Sequence, residues 1–186
     1  MPVRNLKLDK ILEFLLKMHD WGISRVHLLG TTAAKTVTLS AYMARHYFRW
    51  LSLDSATYLL EASFGHYLAG EDLRALNVGN KAPIDRATQI TCGCYWCRHY
   101  TTFGDIIDFE RRHKSGFLYR HNFMAINNFA RNAYANAVSA VMLEQFVRDN
   151  FRNQGVANET INAVRKAEQL ITNVNGTTSA EMCLVV

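Results

Sequence analysis

Three cysteines stand within six positions, Cys92-Gly-Cys94-Tyr-Trp-Cys97, and His121 follows 24 positions after the last of them. Thiolate and imidazole are the ligands that zinc takes in closed tetrahedral sites. The CxCxxC knuckle and its distant histidine therefore predict one structural zinc ion held by Cys92, Cys94, Cys97 and His121. The short loop lets three sulfurs converge, and a Cys3His set leaves no open position for a substrate. Two other histidines compete for fourth place. His99 lies too close to the knuckle to close it, and His113 sits in the charged run Glu110-Arg-Arg-His-Lys114, which reads as a solvated face. The plainer alternative is three reduced, buried cysteines and an unrelated histidine; the tight spacing favours the metal.

Asp54 is the second residue whose position suggests chemistry. Residues 25–30 and 51–55 read as short buried strands, and Asp54 stands at the C-terminal end of the second. In β/α barrels that end is where catalytic groups collect. The competing reading makes Asp54, with Ser55, a helix cap that follows a strand.

The elements that would position these groups follow from periodicity. Leu8, Ile11, Leu12, Leu15 and Met18 recur at helical spacing, with Asp9 as cap and Gly22 as stop. A second helix is expected over 36–49. Helix, strand, helix, strand with short joints is an α/β order that favours parallel strands. After Gly70 the regularity breaks into two short segments, 73–78 and 84–91, which lead into the knuckle. From Asn122 the chain turns helical, with Phe123, Ile126, Ala130, Ala133, Ala137 and Val141 on one face. Asn158 is the expected cap of a last helix through Ile161, Val164, Ala167 and Ile171.

Composition bounds the class. The 186 residues are 49% apolar and 11% aromatic with 2 prolines, which excludes disordered, collagen-like and coiled-coil chains. No apolar run approaches the roughly 18 residues of a membrane span, and the N-terminus lacks an apolar signal core. The expectation is a soluble, cytoplasmic protein with no membrane partner (host cytoplasm if viral). The net charge is +5, with 8 basic and 3 acidic residues in positions 1–50. A basic surface there suits a phosphate backbone, and suits plain solubility equally.

The stretch Cys92-Gly-Cys-Tyr-Trp-Cys-Arg-His-Tyr100, with His121-Asn122 opening a helix, resembles the zinc subdomain of the tRNA-guanine transglycosylases. Two upstream segments resemble that family in order and spacing. Val26-His-Leu-Leu-Gly30 is similar to the strand lining its base pocket, and Leu53-Asp54-Ser55-Ala-Thr-Tyr58 to the segment bearing its aspartate nucleophile. Leu76-Asn-Val78 and Pro83-Ile-Asp85 fit the approach to the knuckle, so the resemblance covers about residues 7–152.

The resemblance implies an α/β fold: the C-terminal part of a (β/α)8 TIM-type barrel with an inserted zinc-binding subdomain and long C-terminal helices. It implies a partial barrel segment over 1–70, the zinc subdomain over 71–121, helices closing the barrel over 122–173 and a flexible tail over 174–186. The implied activity replaces guanine in DNA or tRNA by a 7-deazaguanine such as preQ0. Asp54 would be the catalytic nucleophile, and Leu29, Gly30 and Ser55 would bind substrate. A carboxylate that bonds to an oxocarbenium-like centre splits one hard step into two, as in retaining glycosidases.

Asp54-Ser55-Ala56-Thr57-Tyr58 departs from the Cys-Val-x-Pro-Thr-Arg that follows the nucleophile in bacterial and eukaryotic tRNA enzymes. It is nearer the archaeosine type and the related enzymes that modify DNA, and no archaeal-style RNA-binding domain follows the knuckle. No segment matches the family's general-base aspartate or its glycine-rich base-recognition strand. A full barrel takes about 250 residues, so a separate chain or a homo-oligomer is expected to complete this one; a truncated relic is the other reading. A non-catalytic alternative also stands: a zinc-bearing module gripping nucleic acid or a paired subunit through Tyr95, Trp96, Arg98, Tyr100, Arg111 and Arg112.

Overall fold

Apolar side chains three and four positions apart wind Leu8–Asp20 into the first helix, α1, which buries Leu8, Ile11, Leu12 and Leu15. The computed structural model describes residues 7–79, 84–113, 116–171 and 181–182. Lys7, not Asp9, occupies the cap position of α1; Asp9 lies within the first turn, where a negative charge suits the unpaired N–H groups. Gly22 follows the helix at φ +74°, a left-handed conformation that costs glycine little.

Strand β1 (Arg25–Leu29), helix α2 (Ala34–His46) and strand β2 (Trp50–Asp54) come next. The two strands pair in parallel, with His27 opposite Ser52, Leu28 opposite Leu53 and Leu29 opposite Asp54. Side chains alternate across a strand. Val26, Leu28, Leu51 and Leu53 are thus buried on one face, and Arg25, His27, Leu29, Trp50, Ser52 and Asp54 share the other. Helix α2 packs against α1, β2, and two later helices, α6 (Ala140–Asn150) and α7 (Gln154–Ile171). Contact on so many sides explains why even Thr36, Thr38 and Ser40 of α2 are buried. Thr38 satisfies its hydroxyl by donating to the Ala34 carbonyl at 2.8 Å.

Ser139 caps α6, its hydroxyl accepting the Met142 N–H at 3.2 Å. The last helix starts earlier than its periodicity suggests. Asn153, whose Oδ1 accepts the Val156 N–H at 3.1 Å, replaces Asn158 as its cap. Within the expected tail, Glu181–Met182 form a short strand, β5, parallel to β2 with Glu181 opposite Trp50. An unpaired strand edge recruits backbone partners, which is what β5 supplies to β2. Residues 172–180 and 183–186 lie outside the described residues.

Contacts divide the chain into two compact units: residues 1–55 with 130–186, and residues 56–129. The second unit holds α3 (Thr57–Ser63), β3 (His66–Leu68), β4 (Ala75–Asn77), α4 (Phe103–His113) and α5 (Phe117–Asn136) as far as Phe129. The unit thus begins at α3, which packs on β3, rather than after Gly70. β3 and β4 pair antiparallel, unlike β1 and β2. Tyr67, Val78, Cys94, Cys97, Phe103, Ile106, Phe117 and Leu118 fill its core. Helix α4 carries part of the run read as a solvated face, because Phe103, Ile106 and Ile107 give the helix a buried side. The chain is a mixed α/β protein with seven α-helices and two small sheets among the described residues, which close no barrel.

Candidate functional site

The knuckle is a tight loop, ending in a single turn of 3-10 helix over Cys97–His99, that folds back toward the first turns of α5. The ligand atoms of Cys92, Cys94, Cys97 and His121 all lie within 4.8 Å of one another. Ligands that share an ion at about 2.0–2.3 Å must lie roughly that close. Cys94, Cys97 and His121 are buried, and Cys92 is half-buried at the rim. These four residues could hold a metal ion, and the donor set is consistent with zinc.

His121 is aimed by its surroundings. Its Nε2 donates to the Leu68 carbonyl at 2.9 Å, leaving Nδ1 to face Cys97 Sγ at 3.2 Å and Cys94 Sγ at 3.5 Å. Tyr67 stacks on the imidazole with ring centroids 3.7 Å apart, and its hydroxyl lies 3.3 Å from Cys97 Sγ. Asn122 holds the same strand: Oδ1 accepts the Leu68 N–H and Nδ2 donates to the His66 carbonyl, both at 2.9 Å. Second-layer bonds of this kind fix the tautomer and orientation of a ligating histidine.

Protonation follows the crowding of the sulfurs. Hydrogen bonds from the Cys94 and Cys97 thiols hold the Cys92 thiol well below its ordinary range, against the effect of burial. The same contacts, from Cys92 and then Cys94, push Cys97 up, and burial adds to it. Burial pushes His121 down, but its contacts with the Cys92 and Cys94 sulfurs and the Leu68 carbonyl outweigh this and lift it to about 9. A divalent cation replaces the protons such a cluster shares.

Of the rival ligands, His99 is exposed and accepts a hydrogen bond from Arg98 at 3.2 Å. The side chain of His113 lies outside the described residues. Tyr100 is partly buried and packs against Phe109 and Phe117 at the edge of the core.

The other sequence-predicted residues meet in the first unit, at the C-terminal ends of β1 and β2. Gly30, at φ +85°, turns its N–H toward Asp54, reaching the backbone oxygen at 2.9 Å and the carboxylate Oδ1 at 3.2 Å. Oδ2 lies 3.5 Å from Nε2 of His27, whose Nδ1 is 2.5 Å from the hydroxyl of buried Ser52. Leu29 is 40% exposed beside them. Helix α3 has Ala56 at its cap position and no side-chain cap bond, so Asp54 does not serve as its cap.

Local pattern alone does not mark His27 and Ser52 as part of this group. Each sits two positions from a singled-out neighbour, Leu29 or Asp54, and hence on the same strand face; the register that joins them is tertiary information. No helix among the described residues is long and apolar enough to cross a membrane.

Fold and cluster together define a mixed α/β chain with a Cys3His set able to hold a metal ion. No family model, no curated protein and no solved structure matches it.

Proposed function

We propose that this chain is the C-terminal part of a β/α-barrel base-exchange transglycosylase, as a subunit or a C-terminal half, that replaces guanine in DNA or tRNA by a 7-deazaguanine. The observation that carries the reading is Asp54: a half-exposed carboxylate at the end of a parallel strand, uninvolved in capping the helix after it and held by the Gly30 N–H. The alternation of β1 and β2 supports it too. Their polar face carries His27, Ser52 and Asp54, which suits a barrel lumen, while helix α2 packs on β2 from the apolar side.

In this reading one oxygen of Asp54 bonds to the anomeric carbon of the target ribose as the bond to guanine N9 breaks. Guanine leaves with the electron pair and takes up a proton. The incoming base then loses a proton from its own nitrogen, bonds to the same carbon and displaces the carboxylate. The Gly30 N–H fixes Asp54 in its attacking orientation, Leu29 offers apolar contact to the base, and Ser55 binds beside it. The rest of the barrel supplies the general acid and base. Zinc is the metal, held structurally by Cys92, Cys94, Cys97 and His121.

The test is incorporation of labelled guanine or 7-deazaguanine into DNA and tRNA in parallel, with the rest of the barrel present. Exchange that is lost in Asp54→Asn supports the reading. Near-normal exchange in that variant removes Asp54 from the mechanism and leaves a metal-bearing binding module.

A further inference from the structure

Beside the metal cluster, and within the same compact unit, an open groove of about 380 Å³ is lined by Tyr58, Trp96, Tyr119, Arg120, Phe123 and Met124. Its walls are aromatic. Tyr58 meets Phe123 edge to face at 5.6 Å between centroids, and Tyr119 and Phe123 are more than a third exposed. Two arginines lie over rings of the knuckle: Arg120 over Trp96 at 4.9 Å, and Arg98 over Tyr95 at 4.1 Å. Tyr95 in turn meets Trp96 edge to face at 5.1 Å. Aromatic faces and stacked guanidiniums thus run together from the groove to the knuckle.

Charge indicates the occupant. Arg86 of the same unit is engaged by Asp108 at 2.5 Å, whereas Arg98 and Arg120 are exposed and have no carboxylate partner among the described residues. The segments that supply the knuckle and α5 contain no Asp or Glu from Ala87 to Gly104 or from Gly116 to Leu143. A guanidinium lying on a ring still presents N–H groups at its edge, which suits phosphate oxygens. Apolar rings beside such cations suit unstacked bases, whose faces they can cover whatever the sequence. An apolar protein surface would cover the rings but leave both guanidiniums without a counter-charge.

We infer that this groove is a binding site for single-stranded nucleic acid, with bases stacked against Tyr119, Phe123 and Trp96 and phosphates held by Arg120 and Arg98. The inference is independent of base exchange, since binding alone is measured.

Fluorescein-labelled single-stranded DNA, single-stranded RNA and duplex DNA of one mixed sequence are titrated with the zinc-loaded full chain at several salt concentrations. Anisotropy should report single strands, of DNA or of RNA, binding at least about fivefold tighter than duplex, with affinity falling as salt rises. Tyr119→Ala and Phe123→Ala should each weaken binding by about 5- to 100-fold. Arg120→Gln should weaken it and flatten the salt slope by about one phosphate contact. Zinc content and circular dichroism of each variant establish that the knuckle is intact, and Arg120→Gln leaves the aromatic walls in place. Unchanged affinity in all three intact variants overturns the inference. So does equal binding of duplex, or a self-associated form that Tyr119→Ala disperses while oligonucleotide affinity stays the same.

Discussion

The Leu68 carbonyl accepts a hydrogen bond from Nε2 of His121 at 2.9 Å, and this bond from β3 decides which nitrogen of the ring faces the cysteines. With Nε2 committed as a donor, Nδ1 is the nitrogen presented to Cys97 and Cys94. The Cys3His cluster is therefore shaped by β3 as well as by the knuckle.

Metal analysis of the purified chain should find one zinc per molecule. Cys97→Ser should lose the ion and unfold residues 56–129 rather than merely loosen the loop, because structural zinc binding is coupled to folding. A stoichiometry well below one with reduced cysteines would count against the site.

Tyr67→Phe keeps the ring stacked on His121 but removes the hydroxyl 3.3 Å from Cys97 Sγ. Zinc affinity measured by competition with a chelator should fall by about 10-fold, the lower end for a lost second-layer bond. Unaltered affinity would show that the hydroxyl does not support the thiolate.

Asn122→Ala should destabilise the second unit by about 2–3 kcal/mol in urea unfolding, since it leaves the buried Leu68 N–H and His66 carbonyl without their partner. Asn122→Asp preserves only the acceptor half of the pair. It should therefore lose stability as well, and a variant as stable as wild type would contradict the role assigned to this side chain.

Asp54→Asn should leave fold and zinc content unchanged and depress base exchange on the order of a thousandfold or more, because an amide supplies neither charge nor nucleophile. Nucleic-acid affinity should move far less than the rate, as the lost interaction belongs to the transition state.

Asp105 accepts the backbone N–H groups of Thr102 and Thr101 at 2.8 and 3.0 Å, which hold its carboxyl below the ordinary range. A depressed folded-state value stabilises at pH above the unfolded value, about 3.8. That stabilisation is lost as pH falls through the lower folded value. Denaturation curves of wild type and Asp105→Asn should therefore differ at neutral pH and converge in acid below pH 4. A gap that persists in acid would assign the difference to something other than the charge.

The cysteine cluster was legible in the sequence because CxCxxC spacing confines three sulfurs to one short loop, and covalent geometry alone brings them within reach of one another. The α1, β1, α2, β2 order was legible too, since each element has an apolar repeat of its own. Helix α4 was not: Glu110-Arg-Arg-His dominated the local reading, and Phe103, Ile106 and Ile107 become a buried face only once Tyr67 and Phe117 pack near them. β3 is three residues long, too short to carry a periodic signal, yet it supplies the carbonyl that orients His121. The choice of His121 over its rivals gained its physical basis there. Asp54 shows the same division. Its place at a strand end follows from local pattern, but its bond to Gly30 and its proximity to His27 depend on the parallel register of β1 and β2, which pairs residues about 25 positions apart. Local spacing determines which groups are available for chemistry; long-range backbone pairing decides which of their atoms face one another.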